Sequence, residues 1–149
     1  MRSRTANWFL CKVRYDKVQE DGVTKKVTET YVVEAVSFTD AEARINEEMS
    51  AYISGEFEVA EIDRAVFKEI FFSDDANADK WYKSKLQFIT IDEKTEKEKK
   101  SNVYYFVEGS SLESARKNID DIMGGTMIDY SIASVSETSI LDVFEYKAK

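Results

Sequence analysis

Two tryptophan–lysine pairs hold the most chemistry this sequence offers. Trp8 and Lys12 stand four residues apart, and Trp81 and Lys85 repeat that spacing 73 residues later. Residues four apart on an extended strand point to the same side, so each indole is placed beside an ammonium group. An indole next to a cation can stack a nucleobase and hold its phosphate, as single-strand binders do, and Arg14 adds a further positive charge nearby. The same pair suits a protein contact, because Trp and Arg dominate interface hot spots. It equally suits a structural job in which each Trp caps the core and the Lys stem lies along it. Trp8, Lys12, Arg14, Trp81 and Lys85 are therefore the candidate binding residues.

Acid pairs occur at Glu47/Glu48, Asp74/Asp75 and Asp120/Asp121, with a repeated acid at Glu34 and Glu108. Glycoside hydrolysis and divalent-metal chemistry need carboxylates at fixed separations in a cleft. No segment has the D-x-D-x-D-G order of a calcium loop, so the pairs read as wet surface, and a carboxylate–metal enzyme ranks behind the two binding readings. Glu34 and Glu108 sit between apolar strand neighbours and are expected to pair with Lys12, Lys85 or Arg14. With no His in the chain, Ser-His-Asp and Cys-His machinery and His-metal sites are excluded. The single Cys11 cannot form an intrachain disulfide or a thiolate zinc site. It alternates with core positions and reads as a small buried hydrophobe. No catalytic residue, metal or cofactor is expected, and the chain reads as a non-enzyme.

The elements that must carry these residues are written twice. Trp8–Tyr15 is echoed by Trp81–Phe88 at an offset of 73, and Tyr31-Val32-Val33-Glu34-Ala35 by Tyr105-Phe106-Val107-Glu108-Gly109 at 74. Ala41, Ile45 and Met49 then answer Ala115, Ile119 and Met123, and Phe57 through Phe71 answers Tyr130 through Phe144. A fixed period with one slip in a polar loop is a repeat signature.

In each copy, alternation over 8–18 and 81–91 predicts a first strand, with Phe9, Cys11, Val13 and Tyr15 on the core face. Gln19-Glu20-Asp21-Gly22 and Asp92–Lys97 supply turns, and second strands follow at 25–36 and about 99–108. The period then changes to 3.6. Phe38, Ala41, Ile45, Met49 and Tyr52 form one helical stripe, and Leu112, Ala115, Ile119, Ile122 and Met123 the other. Ser37 or Thr39, and Ser110 or Ser111, can cap the starts, with Gly55 and Gly124-Gly125 as exits. The region from Phe57 to Phe72 is one long bent strand or two short ones, and Tyr130–Tyr146 closes the second copy.

The fold class is therefore α+β, a tandem duplication of a β-β-α-β(-β) unit. Helices cover one face of antiparallel sheet, and the two copies are related by a pseudo-twofold. The copies are 1–73 and 81–149, joined by a polar connector at 74–80, and form one domain or two tightly packed lobes.

At 149 residues, with 43% apolar and 13% aromatic content, the chain can fill a packed interior. No apolar run approaches the ~18 residues of a membrane span, and Met1–Asn7 has no apolar core of a secretion signal, so the expected compartment is the cytoplasm. The net charge of −8 opposes non-specific attachment to a nucleic acid backbone while leaving room for a local basic patch. Arg2, Arg4, Lys12, Arg14, Lys17, Lys25 and Lys26 gather in the tail and first hairpin. Lys94, Lys97, Lys99 and Lys100 are interleaved with Glu93, Glu96 and Glu98, a pattern of solvated edges that resist aggregation.

Trp8-Phe9-x-Cys11-Lys12-Val13-Arg14-Tyr15, Lys25-Lys26-Val27-Thr28-Glu29-x-Tyr31, Ser37-Phe38-Thr39-x-Ala41-Glu42-Ala43-Arg44 and Tyr52–Phe57 resemble a family of small proteins of Bacteroidetes genomes and their phages. Trp81-Tyr82-Lys83-x-Lys85, Gly125-Thr126-Met127 and Ile132-Ala133-Ser134-Val135 fit it as well. The family is a domain of unknown function, so the resemblance carries over no site residues. It implies an intracellular bacterial, prophage or mobile-element origin and an accessory binding protein. The function expected is a non-enzymatic macromolecule-binding module with a protein partner. Single-stranded nucleic acid on the Trp/Lys face is the alternative.

Overall fold

A computed structural model describes residues 1–146, so the last three residues of the segment assigned to the second copy lie outside the described residues. Among the described residues there are nine strands in two sheets and two helices, an α+β fold. The strands are β1 (Arg2–Thr5), β2 (Trp8–Val18), β3 (Thr24–Glu34), β4 (Phe57–Arg64), β5 (Glu69–Phe72), β6 (Lys80–Ile91), β7 (Glu98–Gly109), β8 (Tyr130–Glu137) and β9 (Ile140–Phe144). Helices α1 (Phe38–Tyr52) and α2 (Leu112–Met123) follow β3 and β7. Among the described residues, no helix is long and apolar enough to cross a membrane.

The chain divides into two compact units, and neither is continuous in sequence. One contains Ala6–Ala65 with the segment from Ser139, and the other Met1–Thr5 with Val66–Thr138. These units divide the chain differently from the copies expected at 1–73 and 81–149.

In the unit around β2, the sheet order is β4-β2-β3-β9. Gly22, at a φ of +83°, turns the β2–β3 hairpin. The strand β2 is central, antiparallel to β3 from Trp8↔Glu34 to Val18↔Thr24 and to β4 with a bulge between Lys12 and Val13. Phe9, Cys11, Val13 and Val33 meet Ala41, Ile45 and Met49 of α1, so the helix covers one face. Ser37 caps α1 by accepting from the Asp40 backbone N–H at 3.1 Å, while Asp40 accepts from that of Val36 at 2.9 Å. The ends of the expected stripe are only partly covered, Phe38 being 46% and Tyr52 70% exposed: Phe38 meets Phe9 edge-on at 5.1 Å and Tyr52 lies 6.5 Å from Phe144, at the margins of the packed face.

In the unit around β6, the order is β1-β5-β7-β6-β8. Here β6 is an interior strand, antiparallel to β7 and to β8, with a bulge between Lys85 and Leu86. Tyr82, Leu86, Tyr105 and Val107 pack under Ala115, Ile119 and Met123 of α2. A capping box joins Ser111 and Ser114. The unexpected element is β1, where the Arg/Ser/Thr tail pairs antiparallel with β5 and Arg2 lies 4.0 Å over the Phe72 ring.

The region 57–72 resolves into two strands in different sheets. The short strand β5 runs parallel to β7, pairing Glu69↔Tyr105, Ile70↔Phe106 and Phe71↔Val107. The strand β9 runs parallel to β3, pairing Tyr31↔Asp142, Val32↔Val143 and Val33↔Phe144. Each closing strand therefore completes the sheet built from the other part of the sequence. The repeated acids secure the joints. Glu108 accepts from the backbone N–H of Ser73, one residue beyond β5, and Glu34 from that of Tyr146, two beyond β9, each at 2.9 Å. Arg44 of α1 also donates to the Glu145 carbonyl at 2.7 Å.

Two stability changes are expected. Phe144, stacked on Tyr31 with centroids 5.6 Å apart, anchors β9, so Phe144→Ala should cost about 3–5 kcal/mol in urea unfolding; a loss below about 1 kcal/mol would mean β9 is not held there. Gly109 ends β7 where an added Cβ would lie 2.9 Å from Ser114 Oγ and 3.1 Å from the Ala115 nitrogen. Gly109→Ala should therefore cost about 1–3 kcal/mol by overpacking, read as a lowered Tm.

Candidate functional site

Both tryptophans lie at the start of an interior strand of a sheet, and both are buried. Trp8 is 3% and Trp81 4% exposed. The Trp81 ring stacks on Phe106 at 5.0 Å and 4° between planes, Phe106 stacks on Phe67 at 4.6 Å, and Phe72 meets Trp81 edge-on at 5.7 Å. Its carbonyl also accepts from the backbone N–H and the hydroxyl of Thr138, where the chain leaves β8. The Trp8 carbonyl accepts from the Ala65 N–H just beyond β4. Such rings contribute packing energy and have no free face for a base.

The lysines and Arg14 lie farther along the same strands, where the sheets are open. Lys12 pairs with Glu61 of β4 at 3.2 Å, and Arg14 donates weakly to Thr28 at 3.5 Å. The expected pairing of Lys12, Lys85 or Arg14 with Glu34 or Glu108 does not form. Those two acids are drawn instead to the backbone beyond the closing strands, because they sit at the Trp end of the hairpin and not beside the lysines. The structure thus gathers Lys12 and Arg14 on one sheet face and places Lys85 on the face of the other sheet.

Register shows how differently those two faces are charged. Alternation puts Leu10, Lys12 and Arg14 on the side of β2 away from α1, and their β4 partners are Asp63, Glu61 and Glu58. At matching positions β6 presents Lys83, Lys85 and Gln87, partnered by Ser136, Ser134 and Ser131 of β8. On β7 the same face shows Tyr104 and Asn102 opposite Lys85 and Gln87. The Lys83 ammonium lies 5.7 Å from the Tyr104 ring centroid, and Gln87 donates to Asn102 at 3.4 Å. Sequence reasoning missed Lys83 and Tyr104. The signal was present in the hairpin register, which places Tyr104 opposite Lys85, but only the tryptophans stood out by type.

Titration behaviour follows the local charge. Lys12 holds the Glu61 carboxyl below the ordinary range through a hydrogen bond and its charge, whereas the hydrogen bond with Glu61 raises Asp63. Burial pushes the Cys11 thiol up to about 12, so it is not a reactive thiolate. Asp120 of the acid pair on α2 accepts from the Tyr130 hydroxyl at 2.7 Å and raises that phenol to about 12. Among the described residues, no three Cys, Asp or Glu side chains gather as metal ligands.

Buried indoles give a direct optical expectation. Native tryptophan emission should be blue-shifted and poorly quenched by iodide, rising to full quenching in denaturant. Free quenching of the native protein would show that at least one indole face is open to ligands.

No curated protein and no solved structure matches the chain. The model of a domain of unknown function, DUF4494, matches residues 7–146. That span takes in β2 through β9 and both helices, and the chain belongs to this family.

Proposed function

We propose that the protein is a non-enzymatic, intracellular macromolecule-binding module whose working surface is the open face of the β8-β6-β7 sheet. The observation that carries this reading is the absence of any acid on β8 opposite Lys83 and Lys85, while β4 answers Lys12 and Arg14 with Glu61 and Glu58. In a chain of net charge −8, an uncompensated cationic face on an interior strand has no role in protecting a sheet edge. It favours an oppositely charged partner. The sequence alone favoured a protein partner because the whole chain is acidic. The local face shifts the balance towards a polyanion.

The same reading takes the chain as a duplicated β-β-α-β-β unit, with copies at 1–73 and 81–149 and a connector at 74–80. Matching bulges at Lys12/Val13 and Lys85/Leu86 support it, as do the matching parallel pairs of β5 and β9. Only one copy keeps a cationic face, which accords with one copy specialised for binding and the other for packing. The family resemblance supports a bacterial, prophage or mobile-element setting.

Affinity capture from a bacterial lysate tests the reading when three baits are compared. Wild type and Lys12→Glu should retain the same material, and a Lys83→Glu/Lys85→Glu bait should lose it. Equal recovery on all three baits would remove the β8-β6-β7 face from function. Nuclease treatment of half of each sample separates a nucleic acid partner from a protein one.

A further inference from the structure

Resting on the binding-module reading, we propose that the β8-β6-β7 face binds single-stranded nucleic acid, with Tyr104 stacking a base and Lys83, Lys85 and Lys100 holding phosphates. Three features of the face converge on that ligand. The first is charge without compensation. The ion pairs nearest the face take Lys80 to Glu137 at 3.4 Å and leave no carboxylate within pairing distance of Lys83, Lys85 or Lys100 among the described residues. Two ammonium groups at Lys83 and Lys85, two residues apart on one side of a strand, repel each other. The partner strand offers only hydroxyls at Ser134 and Ser136. A sheet optimised for stability alone would carry the Glu61-type answer seen on β4.

The second feature is an accessible ring in the middle of the charge. Tyr104 is half-buried, directly opposite Lys85 in register and under the Lys83 ammonium at 5.7 Å. Trp81, the ring the sequence singles out, is consumed by its stack with Phe106, so Tyr104 is the aromatic left on the open part of this face. A base has a π-face on either side and stacks on such a ring without regard to identity. A duplex cannot offer one without breaking its own stack, which makes a single strand the fitting form.

The third feature is linear order. Along β6 and β7 this stretch of the face reads Lys83 beside Phe106, Lys85 beside Tyr104, Gln87 beside Asn102 and Ile89 beside Lys100, and it is bounded by Glu108 opposite Trp81 and Glu98 opposite Ile91. At ~3.3 Å per residue, Lys83 and Lys100 are separated by about 20 Å, the reach of a few extended nucleotides. Hydroxyl and amide groups line the track between them. They can donate to phosphates and base edges without adding a charge that would repel the strand. An acidic peptide would satisfy the lysines but would leave the ring unused.

Fluorescence anisotropy with the full-length protein tests this, using a labelled 12-nucleotide oligo(dT), the matching RNA, a duplex of the same length and a labelled oligoglutamate peptide. The single strands are expected to bind at low salt, more tightly than the duplex or the peptide. The slope of log K against log salt should be about −2, as three phosphate contacts at ~0.7 each imply. Tyr104→Ala should weaken binding roughly 5- to 100-fold with the slope unchanged, and Tyr104→Phe should restore it. Lys83→Glu/Lys85→Glu should abolish binding, while Lys12→Glu on the other sheet should leave it intact; circular dichroism confirms that each variant is folded.

Single strands that fail to bind at low salt overturn the inference, as does binding that survives the double charge reversal. Peptide binding lost in Lys83→Glu/Lys85→Glu, with no strand binding, assigns the face to an acidic protein. That outcome ends the nucleic acid inference and leaves the binding-module reading standing. Indifference of every probe and every bait to the charge reversal would end both.

Discussion

The constraint on which the rest of the structure depends is that the outer edges of β3 and β7 must be hydrogen-bonded. Each hairpin forms locally, but the second strand of each would expose a row of backbone donors and acceptors beside the most apolar stretch of its sheet. Water satisfies such an edge poorly next to buried Val32, Val33, Phe106 and Val107. A parallel strand from the other part of the sequence fills each edge, β9 beside β3 and β5 beside β7. A parallel partner cannot come from a tight turn. Its arrival through a remote segment is the topological consequence.

From that constraint follow the roles of several residues that looked like chemistry. Glu34 and Glu108 are acids between apolar neighbours because the joint beyond each parallel strand needs an acceptor for a backbone N–H. Trp8 and Trp81 are buried at the start of interior strands, where their carbonyls also catch the chain as it leaves β4 and β8. Conspicuous residue types were thus spent on architecture. The residues proposed for binding are ordinary ones, lysines and serines whose meaning depends on which strand lies beside them.

The two open sheet faces act as each other's control. They share bulge position, and among their differences the β4 partners Glu58, Glu61 and Asp63 stand against Ser131, Ser134 and Ser136 on β8. One face closes its charge internally and the other does not. General solubility does not explain that difference, because a net-acidic chain has acids to spare and uses them freely in the β6–β7 turn.

Much of the fold was legible in the sequence. Period-two runs at 8–18 and 81–91, the change to a 3.6 period at Phe38 and Leu112, and the serine caps all report local physics, and local physics is what a linear pattern records. The sequence likewise excluded histidine and multi-cysteine chemistry by composition alone. It could not say whether 57–72 was one strand or two, that Arg2–Thr5 would pair with β5, or how the helix stripes would be trimmed at Phe38, Tyr52 and Leu112. Those outcomes depend on how far a sheet extends and which segment completes it. The candidate site divided the same way. Lys85 could be nominated from its spacing to Trp81, but its partnership with Tyr104, Lys83 and Ser134 is a matter of cross-strand register. Neighbours across strands are set by tertiary hydrogen bonding, not by distance along the chain.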